Sequence, residues 1–297
     1  MNLITHLNLL RVAGEDAAAF LQGQITCDVR DVSSERGCFG AICNAKGRVR
    51  STFVLWRDAE AYWLILPASL RDMIQQTLQK YILRAKVHLA PGDDIYRLYE
   101  ARHASVTDDT TACFTVQRRE AMWAMRWPSA EAGITRELCW VPAQTLPKEI
   151  DTQDTATNDA LALDIAAALP WLDSATTEQF IPQMLDIETW HGISFNKGCY
   201  TGQEVVARAH YLGDVKRRLY HFVVEGIDEA APGAKIVEIE TGEIAGQVLS
   251  AQSLAGRVQG LAVLPISAVG KTLGLPSSNQ ATPFTPQKRL NIYTPRT

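Results

Sequence analysis

Between residues 39 and 66 the chain carries three β-branched and aromatic runs, 39–43, 49–56 and 62–66, separated by turn residues at Asn44-Ala-Lys-Gly47 and near Asp58. Spacers this short leave no room for the crossover that parallel strands need, so the runs predict an antiparallel meander. A strand opens the chain, and a short helix over 15–22 ends at Gly23. After Pro67 the period changes: Leu70, Met73, Ile74, Leu78, Tyr81 and Ile82 fall on one helical stripe, with Arg71, Gln75, Gln76 and Lys80 outside it. Strand-like runs return at 87–89, 95–101, 112–117, 122–127 and 138–141, interrupted by a polar stretch at 103–111. An apolar helix is expected over 159–169, closed by Pro170, and 171–196 is punctuated by proline. Beyond Arg217 the runs 219–224, 234–239, 244–250, 257–264 and 289–293 follow one another without a helical segment, the pattern of a small barrel or sandwich. The class is therefore α+β, with a body over 1–215 whose seam lies near 103–111 and a C-terminal β-barrel over 216–297.

With 297 residues, 46% of them apolar, such a chain can bury a substantial core. A net charge of −4 argues against a surface coated with nucleic acid. No run of eighteen apolar residues occurs, and the start, Met1-Asn-Leu-Ile-Thr-His6, lacks the charged and apolar regions of a secretory signal, so a cytoplasmic protein without membrane attachment is expected. The six cysteines, Cys27, Cys38, Cys43, Cys113, Cys139 and Cys199, include no C-x-x-C pair. In a reducing compartment they are expected as free thiols. Cys38 and Cys43 fall on one predicted strand without close-spaced partners, so no permanent metal or cluster site is expected.

The segment Lys197-Gly-Cys-Tyr-Thr-Gly-Gln-Glu204 concentrates the chemistry. Thr201 and Glu204 have capping-box spacing, which places a helix start at Thr201 and Cys199 two residues ahead of it. Unpaired N–H groups and the helix dipole would then favour a thiolate, and Lys197, folded back, would add to that. Gly198 and Gly202 permit unusual backbone angles or close approach of a ligand. The plainer reading is that Cys199 packs as a small apolar residue. Lys197, Arg208, Lys216, Arg217 and Arg218 outnumber Glu204 and Asp214 nearby, with His210 and Tyr211 interleaved. That run is either a solvated turn or a site for an anionic tail or phosphate backbone. His210, at the end of the motif helix, could complete its C-terminal cap. His191 stands eight residues before Cys199, but no Asn or Asp partner for a hydrolytic triad is identifiable.

The stretch from Gly192 to Arg208, preceded by Phe180-Ile-Pro-Gln183 and followed by Lys216-Arg217-Arg218, resembles the signature of the YgfZ family, folate-binding proteins related to the aminomethyltransferase (T-protein) of the glycine cleavage system. The block from Gly14 to Asp28, with Asn44-Ala-Lys-Gly-Arg48, is similar to that family's N-terminal motif. The resemblance implies two interlocked α/β subdomains which, with the barrel, surround a folate-sized hole. It implies tetrahydrofolate or a derivative as cofactor, and iron–sulfur client enzymes, such as those that thiolate tRNA, as partners. Cys199 becomes the working thiol.

A reduced folate needs stacking surface, a carboxylate or amide for its aminopyrimidine edge, and cations for its glutamate tail. Gln24, Asp28, Asp173 and Glu204 are candidates for the edge, and Arg84, Lys197 and Arg208 for the tail. Gly198, Tyr200 and Gln203 belong to the candidate site through the motif. Ordinary readings compete: Asp28 as a turn cap, Arg84 as a helix C-cap, Asp173 as a loop start, Gln24 as an exposed polar residue. Where relatives are expected to set a tryptophan against the folate, this chain has Leu7 and Ala160; Trp171 and Trp190 are the available substitutes, with core packing as their default role. The favoured function is a folate-binding accessory protein in tRNA modification and iron–sulfur maintenance rather than an enzyme. An aminomethyltransferase-type one-carbon enzyme and a noncatalytic RNA-binding module are the alternatives. Direct tRNA binding is not expected, because no exposed aromatic constellation on strands is visible.

Overall fold

A computed structural model describes residues 1–104, 113–120, 122–145, 155–254, 256–276 and 281–288. In chain order the elements are β1 (Asn2–Leu3), β2 (Leu7–Ala13), α1 (Ala17–Gln22), β3 (Cys38–Cys43), β4 (Val49–Arg57), β5 (Ala61–Pro67), α2 (Arg71–Gln79), β6 (His88–Pro91) and β7 (Tyr96–Ala104). There follow β8 (Val116–Arg119), β9 (Met122–Trp127), β10 (Ile134–Pro142), α3 (Thr155–Ala166) and α4 (Gln203–Tyr211). The chain closes with β11 (Arg217–Glu225), β12 (Lys235–Glu238), β13 (Ile244–Leu254), β14 (Arg257–Pro265), β15 (Leu273–Pro276), β16 (Ala281–Phe284) and β17 (Gln287–Lys288).

Three antiparallel sheets result. The expected meander is the core of the first, ordered β3-β4-β5-β2-β6. The stripe of α2 packs beside it, with Leu70, Ile74 and Leu78 buried, whereas Tyr81 lies past the helix end and is exposed. The second sheet is ordered β1-β7-β10-β9-β8, so β1 and β2, separated by only a short turn, enter different sheets. The pairing of Arg36 with Thr115, flanked by Gly37 N–H donating to Phe114 O at 2.8 Å, ties the approach to β3 to the approach to β8.

The third sheet, β16-β15-β12-β13-β14-β11-β17, curls, bringing Phe222 on β11 to 5.2 Å from Phe284 on β16. One face encloses Tyr220, Phe222, Val224, Val248, Val258 and Leu264. From the other, Leu219, Leu249, Leu261 and Val263 join the main core, with Gln259 Nε2 donating to Ala162 O of α3 at 3.1 Å. The expected seam falls largely on 105–112, and the expected last strand on 289–293, both outside the described residues. β15 and β16 were not expected; Pro276 and Pro283 disguise them, and β16 occupies a sheet edge, where a missing N–H is tolerated. No helix among the described residues is long and apolar enough to cross a membrane.

Candidate functional site

Three sequence blocks far apart in the chain meet around α4. Ser194 N–H donates to Thr26 O and Thr201 N–H to Gly23 O, at 2.9 and 3.2 Å, so the segment ahead of α4 lies along the segment after α1. Gln183 Nε2 donates to Val206 O at 2.9 Å and fixes the helix from below. Arg48 Nη1 reaches Gln179 O at 2.9 Å, and Val49 N–H donates to Phe180 O at 2.8 Å, bringing in the third block. The turn at Asn44–Gly47 abuts the start of α4. A Cβ on Gly202 would sit 2.4 Å from Asn44 O, and one on Gly47 would sit 2.8 Å from Val205 Cβ.

The helix start differs from the capping-box expectation. α4 begins at Gln203, its cap is Gly202 at φ +84°, and no side chain caps it. Thr201 Oγ1 instead approaches Gln24 Oε1 at 3.4 Å, and Glu204 is exposed. The gain from that tertiary contact, together with a left-handed turn that glycine adopts without strain, displaces the local cap.

Lys197 differs as well. It does not fold back toward Cys199. Its Nζ donates to Ile25 O at 2.8 Å and Cys27 O at 2.7 Å and lies 5.2 Å over the Tyr200 ring, with the residue 8% exposed. Burial pulls its pKa below the ordinary lysine value, an effect the neighbouring Cys27 and Asp28 oppose. Cys199 is exposed, and the open side of Gly198 next to it meets no atom within 4 Å. Tyr200 turns inward; its hydroxyl is buried without a hydrogen-bond partner among the described residues, and burial raises its pKa. Gln203 is half-buried and Arg208 exposed.

The remaining candidates take partners of their own. Asp28 caps the 3-10 turn Val29–Asp31, and its carboxylate is taken by Arg30 Nη2 at 2.6 Å, Arg30 Nε, Arg30 N–H and Gln22 Nε2. The Arg30 side-chain bonds hold that carboxyl far below the usual range, against the opposing effect of burial. Asp173 opens a turn, accepting from Ser174 Oγ, Ala175 N–H and, across the fold, Ser69 Oγ at 3.1 Å. Arg84 is exposed beyond α2, without an ion-pair partner among the described residues. Of the basic run, Lys197 is turned inward and Arg218 donates to Gln183 O at 2.8 Å, leaving Arg208, Lys216 and Arg217 facing solvent. His210 does not cap α4: Leu212 takes that place, and His210 pairs with Glu188 Oε1 at 2.8 Å and stacks on Phe195 at 3.9 Å. His191 is exposed at φ +52° after the turn Ile187–Trp190.

A second polar centre was not anticipated. Asp164, 1% exposed on α3, accepts from Trp127 Nε1 (2.9 Å) and Arg136 Nη2 (2.8 Å) on one oxygen, and from Trp171 Nε1 (2.8 Å) on the other, which also lies 3.0 Å from His6 Nε2. Arg136 also donates to Glu100 Oε1 and Pro128 O. Burial alone would raise the Asp164 pKa; Arg136, His6 and Trp171 together hold it down to about 2. The signal was a lone carboxylate inside an apolar helix, which must have partners to be buried. Leu7 and Ala160, beside His6 and one turn from Asp164, are both buried, and Trp171 and Trp190 pack against Phe39 at 5.7 and 6.1 Å within the core. Among the described residues no group of three or more His, Cys, Asp or Glu side chains could hold a metal ion.

No protein-family model matches the chain. It is 34% identical over 260 residues to the tRNA-modifying protein YgfZ of Cronobacter sakazakii, covering 83% of this chain and 78% of that protein. The proteins of that name from Klebsiella pneumoniae and Pectobacterium carotovorum are each 33% identical over 83% of this chain, with 79% and 77% of their own lengths covered. Among solved structures, the glycine cleavage system aminomethyltransferase T from Bartonella henselae superposes with a TM-score of 0.73 over 98% of this chain and 85% of that one, at 14% identity. At that identity the likeness establishes the fold.

Proposed function

The chain belongs to the YgfZ family, and on that ground we propose that it is a folate-binding accessory protein of tRNA modification and iron–sulfur enzyme maintenance, with Cys199 as its working thiol. The observation that carries this reading is the convergence of three distant blocks on one exposed sulfur. Gly23–Gln24, Asn44–Gly47 and Gln179–Gln183 all brace the loop and helix that present Cys199. A packing cysteine needs no such support, and this one is exposed.

The residues here match a folate's polar groups. The open side of Gly198 leaves room for a ligand beside Cys199, Gln24 offers an amide to the aminopyrimidine edge, and Arg208 offers a cation to the tail. When bound, the folate would supply one-carbon units. The residues of this chain would orient it and hold Cys199 at its edge. The rings that relatives are expected to stack on the pterin are absent at Leu7 and Ala160, so polar contacts must carry more of the affinity. In this reading the body is organised as two interlocked subdomains over 1–215 around the ligand, with the curled sheet over 216–297 as a separate domain.

An exposed thiol can trap a one-carbon adduct, bind a labile cluster transiently, or exchange with a client disulfide. Anaerobic calorimetric titration with tetrahydrofolate tests the folate half. The reading expects saturable binding, retained in Cys199→Ser, and no glycine-cleavage turnover with purified lipoyl partner protein. Absence of binding refutes that half; turnover transfers the protein to the aminomethyltransferases.

A further inference from the structure

Five of the six cysteines have no part in the reading above, and two of them are neighbours. The Cys38 thiol donates to the Cys27 sulfur across 3.1 Å. The pairing of Ile25 with Ile42 is antiparallel, which brings Cys27 opposite Gly40 and diagonally across from Cys38 at the start of β3. Gly40 makes the arrangement possible: a Cβ there would lie 2.7 Å from Cys27 Sγ and 2.8 Å from the Phe53 ring. Cys27 is sealed at 1% exposure, and Cys38 is half-buried at the start of β3. The Cys27 carbonyl is one of the two acceptors that anchor Lys197, two residues before Cys199.

From this geometry we propose that Cys27 and Cys38 form a dithiol–disulfide couple that takes a low-molecular-weight disulfide as oxidant and, through the Lys197 anchor, changes the mobility of the Cys199 loop. The Cys38 thiolate attacks one sulfur of oxidised glutathione, forming a mixed disulfide and releasing one glutathione thiolate. Cys27 attacks Cys38 Sγ, its proton passing to the second glutathione sulfur as that sulfur leaves. The protein gives up two electrons and two protons, and the glutathione disulfide leaves as two thiols. The sulfurs must approach by about 1 Å to reach a bond of ~2.05 Å. In the proposed couple the strain of closing that gap is shared by the Cys27 main chain, whose carbonyl Lys197 holds, and weakens that bond. The neighbouring Cys27 and burial hold Cys38 protonated, an effect the Lys197 ammonium opposes, so the first step is slow near neutral pH.

The test treats the reduced full-length protein with oxidised glutathione, followed by peptide mapping without reduction and amide exchange over 196–202. The expected result is a Cys27–Cys38 cross-linked peptide, resistance of both cysteines to iodoacetamide once the oxidised protein is denatured, and exchange over 196–202 several-fold faster than in the reduced protein. In Cys27→Ser the glutathione adduct should persist on Cys38. An adduct that also persists on Cys38 in the wild-type protein, or two cysteines alkylated by iodoacetamide when the treated protein is denatured, overturns the couple. A disulfide that leaves exchange over 196–202 unchanged overturns the link through Lys197. Neither result bears on folate binding.

Discussion

Lys197→Met removes the anchor of the Cys199 loop while keeping its bulk. In the wild-type protein the ammonium makes two charge-assisted hydrogen bonds, of 2.8 and 2.7 Å, and lies 5.2 Å over an aromatic ring. Such bonds contribute about 1.5–3 kcal/mol each and the ring about 1 kcal/mol. Burying the charge takes back several kcal/mol, consistent with the lowered pKa of Lys197, for which burial is the largest cause. Methionine is relieved of that penalty but leaves Ile25 O and Cys27 O without their donor, so a net loss of about 2–4 kcal/mol follows. For a chain of this size that lowers the first thermal transition by about 4–8 °C. Differential scanning calorimetry reads the shift, and amide exchange over 196–202 should accelerate at least about tenfold, since 1.4 kcal/mol already corresponds to that factor. A transition within about 1 °C of the wild-type protein and unchanged exchange would show that Lys197 is a solvated surface charge and that the inward anchor is wrong.

Asp164→Ala takes from Arg136 one of its two buried carboxylates and leaves two indole N–H groups in the core without an acceptor; it should cost about 3–5 kcal/mol, read as a larger fall in melting temperature than for Lys197→Met. The folded Asp164 pKa of about 2 lies below its unfolded value, so its contribution of about 2 kcal/mol is complete above about pH 4 and disappears as pH falls toward 2. Asp28, also depressed, loses its contribution in the same direction, and thermal unfolding between pH 5 and 2 should be distinctly flatter in Asp164→Asn than in the wild-type protein. Gly202→Ala must hold φ near +84° and press its Cβ on Asn44 O, so it should destabilise by at least about 2 kcal/mol; a neutral effect in urea unfolding would refute the packing of the 44–47 turn on α4.

The meander and α2 were legible because their periods are local: alternation and turn residues define β3 to β5, and Leu70, Ile74 and Leu78 at helical spacing define the buried face of α2. The start of α4 was misread for the opposite reason. Thr201 and Glu204 have the spacing of a cap, but Thr201 is drawn to Gln24, 177 residues upstream, a contact no local pattern encodes. Lys197 beside Cys199 read as a charge for that thiol, yet its acceptors are carbonyls about 170 residues away. Asp28 and Asp173 turned out to do what their ordinary readings said, capping and opening turns with partners close in sequence. The Asp164 centre was half visible as a charge in an apolar helix; its partners on β9 and β10 were not, since cross-sheet neighbours leave no trace in spacing.

Mass-spectrometric profiling of modified tRNA nucleosides, in a strain lacking the gene and rescued with the wild-type chain or with Cys199→Ser, tests the working-thiol claim most directly. The account predicts that the wild-type chain restores the thiolated nucleosides and that Cys199→Ser, expressed at the same level, does not. Equal restoration by both would contradict it, because the sulfur that three blocks of the chain converge to present would then have no role.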